Sequence, residues 1–388
     1  MLLEYAIAFA TTYVAVLFLL LYLEEAEGME DPKPKRFPSV SIIVPAYNEG
    51  EHIAKTIKSL LSLEYPGKKE VIVVNDGSTD GTGNVARRFV KKGVAVIDKP
   101  NGGKASAMNL GISRAKGELV AVLDADSIVA GDALLHMVGY FDDPEVAAVT
   151  PMMKVWESRT PVQKLQKAEY ILNSFMKKLL EQLDAITVTP GPFSVYRRSV
   201  FRKLGGFDEK TITEDQEIAL RIQRANLRIA SSVGAVVYTD APESLRELYL
   251  QRKRWYTGFL QNIWEYRDLV SPKYGDLGLF VIPVTLGLLV AGIYSLALIV
   301  ANAISPITFR PDLFYVDLGM PQVIAAFIVL LALLTVYIAA RSLRERNPLA
   351  LFASALIMSP ILTLFWLLIL ASAALNSLRG VKEAWRGG

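Results

Sequence analysis

The stretch VSIIVPAYNEGEHIAKTIKSLL, residues 40–61, frames the whole chain. Val40–Pro45 is apolar apart from Ser41 and rich in β-branched side chains, the composition of a strand buried on both faces. From Glu51 to Leu63 the apolar residues Ile53, Ile57, Leu60 and Leu61 recur at helical spacing. The alternation continues outward. Val71–Val74, Val94–Ile97 and Leu119–Leu123 read as strands, and Asp80–Lys92 and Lys104–Ala115 as helices. Apolar strands separated by helices predict an α/β domain with a mostly parallel sheet covered on both sides. Ligands of such sheets bind at the carboxyl ends of the strands, so those positions need the closest reading.

The rest of the chain is divided by charge. Its 388 residues have a positive mean hydropathy, 42 basic against 39 acidic residues and a net charge of +3. That balance leaves no electrostatic footprint for nucleic acid. The absence of cysteine excludes disulfides, thiol catalysis and zinc-thiolate sites, and two histidines, His52 and His136, are too few for a His-rich metal centre. Residues 1–23 hold one charge, Glu4, while 277–309, 318–340 and 347–378 hold none. Each stretch reaches the roughly 20 residues that cross a hydrocarbon core.

The expected plan is an N-terminal transmembrane helix (1–23), a linker (24–37), a polar α/β domain (38–242), an amphipathic interfacial region (243–278) and an α-helical transmembrane module (279–388). A signal peptide fits residues 2–23 less well. There is no positive n-region, and acidic Glu24-Glu25 follows in place of a small-residue cleavage site. Lys33, Lys35 and Arg36 after the first segment place the polar domain in the cytosol of a multi-pass cell-membrane protein. Spans at about 279–304 and 321–340 would then return Arg341, Arg344 and Arg346 to the same side. The last segment, with Pro360, leaves open which side holds Arg379, Lys382 and Arg386.

Five polar clusters fall where chemistry is expected. The first strand runs into Pro45-Ala46-Tyr47-Asn48-Glu49 and the second into Asn75-Asp76-Gly77-Ser78-Thr79-Asp80. Asp76 could accept hydrogen bonds from a base or ribose, and Ser78 or Asp80 could equally cap the next helix. After Leu123 comes Asp124-Ala125-Asp126. Residues i and i+2 of an extended segment face the same way, so both carboxylates can address one Mg²⁺ or Mn²⁺. No GxxxxGK[ST] phosphate loop is present. Thr213-Glu214-Asp215 opens a helix, Asp215–Ala225, and reads either as a helix cap with first-turn acids or as a catalytic carboxylate. Gln251-Arg252-Lys253-Arg254-Trp255 lies where Leu245, Leu248, Arg252, Trp255, Phe259 and Ile263 mark an amphipathic helix. Its reading is divided between a membrane-surface helix and a diphosphate and sugar site.

Taken in order, PAYNE at 45–49, NDGSTD at 75–80, GGKASAMN at 102–109, DADS at 124–127, GPFSVYRR at 191–198, TED at 213–215 and QRKRW at 251–255 resemble the membrane-integrated family 2 glycosyltransferases. These are the cellulose, chitin, hyaluronan and poly-N-acetylglucosamine synthases. The matching run covers residues 38–265. The resemblance implies a Rossmann-like GT-A fold and an inverting transfer from a nucleoside-diphosphate sugar.

Matched position by position, it implies that Pro45, Tyr47, Glu49 and Asp76 contact the nucleotide. Asp124 would support the diphosphate-sugar and share a Mg²⁺ or Mn²⁺ with Asp126, and Asp215 would be the general base. Gln251 and Arg254 would hold the diphosphate, Trp255 would carry the acceptor's terminal sugar, and Lys104 is a further donor-side candidate. Some relatives have Asp-Asp before the glycine of the second motif; Asn75 stands at the first position here. GPFSVYRR leans toward N-acetylglucosamine- and hyaluronan-type synthases, hence toward UDP-N-acetylglucosamine as donor. The expected partners are a UDP-sugar, a polysaccharide or lipid-linked acceptor, membrane lipids, and a second copy or an accessory translocation subunit. A processive synthase is the leading expectation. Single addition to a polyprenyl phosphate or glycolipid is the alternative.

Overall fold

In the computed structural model, residues 2–24, 30–304, 330, 333–343, 345 and 347–378 are described. The strands are β1 (Val40–Ala46), β2 (Lys69–Asp76), β3 (Val94–Lys99), β4 (Leu119–Val122), β5 (Ile128–Val129), β6 (Val146–Val155), β7 (Ser194–Arg197) and β8 (Arg228–Thr239). They form one sheet in the order β3-β2-β1-β4-β7-β6-β8-β5. The helices are α1 (Leu2–Glu24), α2 (Ile53–Leu61), α3 (Thr82–Arg87), α4 (Lys104–Arg114), α5 (Ala133–Val138), α6 (Pro161–Gln182), α7 (Arg198–Leu204), α8 (Glu214–Arg224), α9 (Leu245–Glu265), α10 (Ile282–Ile304), α11 (333–342) and α12 (Pro348–Leu378).

The first half of the sheet is as expected. β3, β2, β1 and β4 are parallel neighbours. Alternate residues of β1 enter different cores: Ile42 and Val44 pack with Ile53, Ile57 and Leu60 of α2, whereas Ile43 packs with Met108 of α4 and Ile218 of α8. The second half departs from the expectation of a mostly parallel sheet. β7 is antiparallel to both β4 and β6, and β5 is antiparallel to β8, while β6 and β8 run parallel. The sheet is therefore mixed. The expected helix 80–92 is shorter, because Gly81 and Gly93 adopt left-handed backbone and a 3₁₀ turn at Val90–Lys92 replaces its end.

Chain order places a topological switch between β1 and β4, since β2 and β3 lie on one side of β1 and β4 on the other. The carboxyl ends of β1 and β4 thus open the crevice in which ligands of such sheets bind.

Beyond the sheet, Met152, Ile171, Phe175, Ala339, Ala340 and Leu351 form a further core with Phe18 and Tyr22 of α1. The Tyr22 and Phe175 rings meet tilted, their centroids 5.5 Å apart. Among the described residues, no helix is long and apolar enough to cross a membrane. The expected span 321–340 falls largely outside the described residues, as do Arg344, Arg346 and the tail with Arg379, Lys382 and Arg386.

Candidate active site

The turns after β1 and β2 are laced together. Asn48 takes a positive φ of 56°, which a short amide side chain tolerates, and its Oδ1 accepts from the Thr79 N–H at 2.9 Å. Ser78 Oγ accepts from the Asn48 N–H, Thr82 Oγ1 from the Glu49 N–H and Asp80 Oδ2 from the Gly50 N–H. Asp80 Oδ1 also accepts from the Thr82 N–H at the start of α3, but the N-cap position is Gly81 and carries no side-chain cap, and Ser78 serves the turn after β1 instead of capping the helix.

Asp76, at the end of β2, is buried. Its Oδ1 accepts from the Gly102 N–H at 3.0 Å and from Lys99 Nζ at 2.6 Å, and its Oδ2 accepts from the Gly103 N–H at 2.8 Å. The carboxylate thus anchors the loop that delivers Lys104 at the start of α4. Asn75 is held by Asp98, to which its Nδ2 donates at 2.8 Å.

Lys104 is the centre of the cleft. Its Nζ lies 2.7 Å from Asp124 Oδ1 and 3.3 Å from Glu214 Oε1, joining the loop after β4 to the start of α8. Burial alone would lower its ammonium, but Asp124 and Glu214 outweigh it and hold the group well above the usual lysine range. Gly191 closes over this pair. A Cβ there would stand 2.7 Å from Lys104 Nζ and 2.8 Å from Asp124 Oδ2, so only glycine allows the approach.

Asp124 and Asp126 are close, but by a different route from the one expected. β4 ends at Val122, and residues 124–127 form a turn closed by the Ser127 N–H on the Asp124 carbonyl at 3.1 Å. A turn, not an extended pleat, sets the two carboxylates together. Burial, then Asp124, pushes the Asp126 carboxyl up. Glu49 is pushed up to about 7 by burial and by Asp126 and Asp124, with Asp80 and Asp240 adding to it.

Asp215 sits in the first turn of α8. Its Oδ1 accepts from the Gln216 N–H at 2.8 Å, and its carbonyl accepts from Thr189 Oγ1 at 2.8 Å. Burial and then Glu214 push its carboxyl up to about 6, while Lys104 and Arg254 pull it down. Thr213 gives α8 no side-chain cap. Its Oγ1 and carbonyl instead accept from Asn262 Nδ2 of α9, at 3.0 and 3.2 Å. Gly258, one turn earlier on α9, lies so close to Thr213 that any Cβ would collide with it. α9 is thereby fastened to the Asp215 turn, which brings Arg254 within electrostatic reach of Asp215.

Gln251, Arg254 and Trp255 share α9 and are half-buried. Pro45 is buried, and Tyr47 and Glu49 are half-buried beside it. The structure thus brings Lys104, Asp124, Glu214, Asp215 and Arg254 within electrostatic reach of one another, and Glu49 and Asp126 feel the same carboxylates. Asp76 lies beneath, turned toward its own loop.

Sequence reading missed Glu214 as the second partner of Lys104. It also missed Lys177 of α6, whose Nζ donates to the Pro151 carbonyl at 3.4 Å. Burial lowers that ammonium to about 8, with Asp215 pulling the other way. The signal for Glu214 was available, since it stands inside the TED motif. Lys177 gave none, because it reads as an ordinary polar position of a long helix.

Two carboxylates with hard oxygen donors at a strand end, one of them raised by the other, fit a divalent cation. Among the described residues, no three histidine or carboxylate side chains form a ready-made cation site. Diphosphate oxygens and water would therefore supply most of the shell.

Residues 41–205 match the family described as glycosyl transferase family 2. Over that stretch the chain is similar to family 2 glycosyltransferases. Among curated proteins, the poly-beta-1,6-N-acetyl-D-glucosamine synthase of Staphylococcus epidermidis is 33% identical over 233 residues, 58% of this chain and 56% of the relative. The protein of the same description from Staphylococcus aureus (strain COL) is 33% identical over 223 residues, 56% of this chain and 54% of the relative. The chain thus spans little more than half the length of these relatives. Among solved structures, the mannosyltransferase PcManGT of Pyrobaculum calidifontis, in complex with GDP-Man and Mn²⁺, matches with a TM-score of 0.64 at 22% identity. It covers 98% of this chain and all of that one. The described α/β domain therefore has a GT-A-like fold.

Proposed function

We propose that this protein is an inverting glycosyltransferase that moves a sugar from a UDP-sugar, UDP-N-acetylglucosamine by preference, to the end of a growing β-linked polysaccharide. The reading rests on one observation above all: Lys104 bridges Asp124 and Glu214 and so ties the Asp124–Asp126 turn to the start of α8, where Asp215 lies next to Glu214. Inversion in one displacement needs that arrangement. The acceptor hydroxyl gives its proton to an Asp215 oxygen while its own oxygen bonds to the anomeric carbon. The bond from that carbon to the diphosphate breaks, and its electron pair stays on the leaving phosphate oxygen.

Lys104 and Arg254 stand where that negative charge grows, and Gln251 can donate to the same diphosphate. A Mg²⁺ or Mn²⁺ held by Asp126 and Asp124 would neutralise diphosphate charge when bound. Asp76 supports the nucleoside through the loop it anchors, and Pro45, Tyr47 and Glu49 line the nucleotide side. Trp255 offers a ring face to the acceptor's terminal sugar. The names of the curated relatives support the sugar and the polymer.

We place the protein in the cell membrane with its catalytic domain in the cytosol. The sequence stretches 277–309, 318–340 and 347–378, which carry no charge, residues 1–23 with Glu4 as their one charge, and the Lys/Arg pattern around them support this. A second copy or a separate subunit would complete a translocation path for a polymer.

One observation favours the alternative of single transfer to a polyprenyl phosphate or glycolipid. Lys177 is a lysine beside the base whose strongest neighbour is a carbonyl at 3.4 Å, and an acceptor phosphate would suit it. The deciding experiment incubates purified protein in detergent with labelled UDP- and GDP-sugars and Mn²⁺, then sizes the product. A ladder of sugars from a UDP-sugar is the expected result. A single labelled lipid selects the alternative, and no transfer from any donor overturns both.

A further inference from the structure

Arg252 lies inside the QRKRW motif, yet no diphosphate role falls to it. It is the largest fully buried side chain of the described residues, 2% exposed. Its guanidinium carbon stands 4.0 Å from the centroid of the Trp255 ring, the separation of a face-on stack. The same group lies 5.6 Å from the Trp366 ring of α12 and 5.9 Å from the Tyr170 ring of α6. Arg252 Nη2 donates to Glu169 Oε2 of α6 at 2.9 Å. Tyr256, the next residue after Trp255, meets Trp366 edge-on at 5.8 Å.

We infer that Arg252 is a positioning residue for acceptor binding: held by Glu169, it covers one face of Trp255 and fixes the indole so that the other face receives the sugar. The inference rests on the acceptor role given to Trp255 above. Its physical content is separate. A free tryptophan at the mouth of a cleft samples several rotamers, and each one lost on binding weakens affinity. A buried, ion-paired guanidinium stacked on the ring removes that loss in advance. Lysine cannot replace it, because an ammonium has the charge but not the planar surface that matches an indole. Trp366 of α12 shares the same cluster.

The test is binding, read in full-length protein in detergent by titrating intrinsic tryptophan fluorescence with 1,4- and 1,6-linked β-N-acetylglucosamine pentasaccharides. Arg252→Lys keeps the Glu169 ion pair and should preserve the fold, checked by thermal unfolding. It should weaken binding of the oligosaccharide about tenfold, the scale of one desolvated cation–π contact, while UDP affinity stays within twofold. In a Trp255→Ala background the same substitution should change nothing further.

Unchanged oligosaccharide affinity in Arg252→Lys would overturn the inference. So would an equal loss of UDP affinity, or an effect that persists without Trp255. Should Arg252→Lys unfold, Glu169→Gln, which frees the guanidinium without removing the ring stack, is read in the same way and should weaken oligosaccharide binding several-fold. Wild-type protein that binds neither oligosaccharide overturns the inference outright. Wild-type protein that binds an oligosaccharide but transfers no sugar overturns the proposed function and leaves this inference standing.

Discussion

Two carboxylates of this domain, Asp76 and Asp215, stand at the ends of secondary-structure elements and face opposite fates. Asp76 has three donors within 3.0 Å, two backbone N–H groups and an ammonium, and almost no exposure. Asp215 has one backbone N–H, a like charge from Glu214 beside it, and a carboxyl pushed up to about 6. A carboxylate satisfied by its own chain builds structure. One left under-supplied with donors keeps the affinity for a proton that a general base requires. The same contrast separates Asp80, tied to Gly50 and Thr82, from Asp126, whose one donor at 3.0 Å is its neighbour Ser127.

The sharpest way to break this comparison is Asp215→Asn. Turnover should fall at least ~10²-fold, the usual range for losing a general base. Nucleotide binding should stay near normal, and the melting temperature at pH 7 should equal or exceed that of the wild type, because an ill-supplied buried charge is removed. Near-normal transfer, or a less stable protein, would move Asp215 into the structural class.

The converse holds for Asp76→Ala. Two backbone N–H groups and Lys99 lose their acceptor, which should cost about 2–4 kcal/mol of stability. Thermal unfolding reads this directly. A variant as stable as the wild type, with nucleotide affinity alone reduced, would show that Asp76 acts on ligand and not on its loop.

The contrast also marks how far the sequence could be read. Strands β1 to β4 were legible because each is an apolar run broken by a helix with a clear period. Strands β6 and β8 were not. β6 carries Pro151 and Lys154, and β8 includes Ser231, Ser232 and Gly234, where the register with β6 shifts. Such strands lack the pattern that announces them, and antiparallel β7 is only four residues long. Within the site, motif residues were found because the chemistry dictates their type. What the sequence hid was pairing. Nothing in residue order tells that Lys104 joins Asp124 to Glu214, or that Asn262 and Gly258 lock α9 onto Thr213. The reading of DxD as an extended pair had the wrong geometry, since a turn sets Asp124 beside Asp126.

A smaller effect is expected from Asp126→Ala. With one of two hard ligands gone, Mn²⁺-dependent affinity for UDP should drop about 10- to 100-fold, the scale found for weakening a metal site. Affinity measured in EDTA should change little. Calorimetric titration with and without Mn²⁺ separates the two. Equal affinity under both conditions in the wild type would remove the cation from the proposal and leave Asp126 as a rim charge.

The smallest effect, tenfold per unit of pH, distinguishes loss of chemistry from loss of fold. Asp215 must be ionised to take a proton, so with its carboxyl pushed up to about 6 the transfer rate should be half-maximal near pH 6 and about a tenth at pH 5. Stability runs the other way for the same group. A carboxyl raised in the folded state binds its proton more tightly there than in the unfolded chain. Its stabilising contribution is therefore full below the unfolded value, near 4, and is lost as pH rises through 6. Glu49, pushed up to about 7, adds to the same trend. Between pH 7 and pH 5 activity should thus fall while these two groups favour the folded state. In Asp215→Asn the stability difference from wild type should be largest at pH 7 and shrink toward pH 5. If instead the wild-type rate holds level down to pH 5, Asp215 is ionised throughout, and the burial and like charge around it do not set its chemistry.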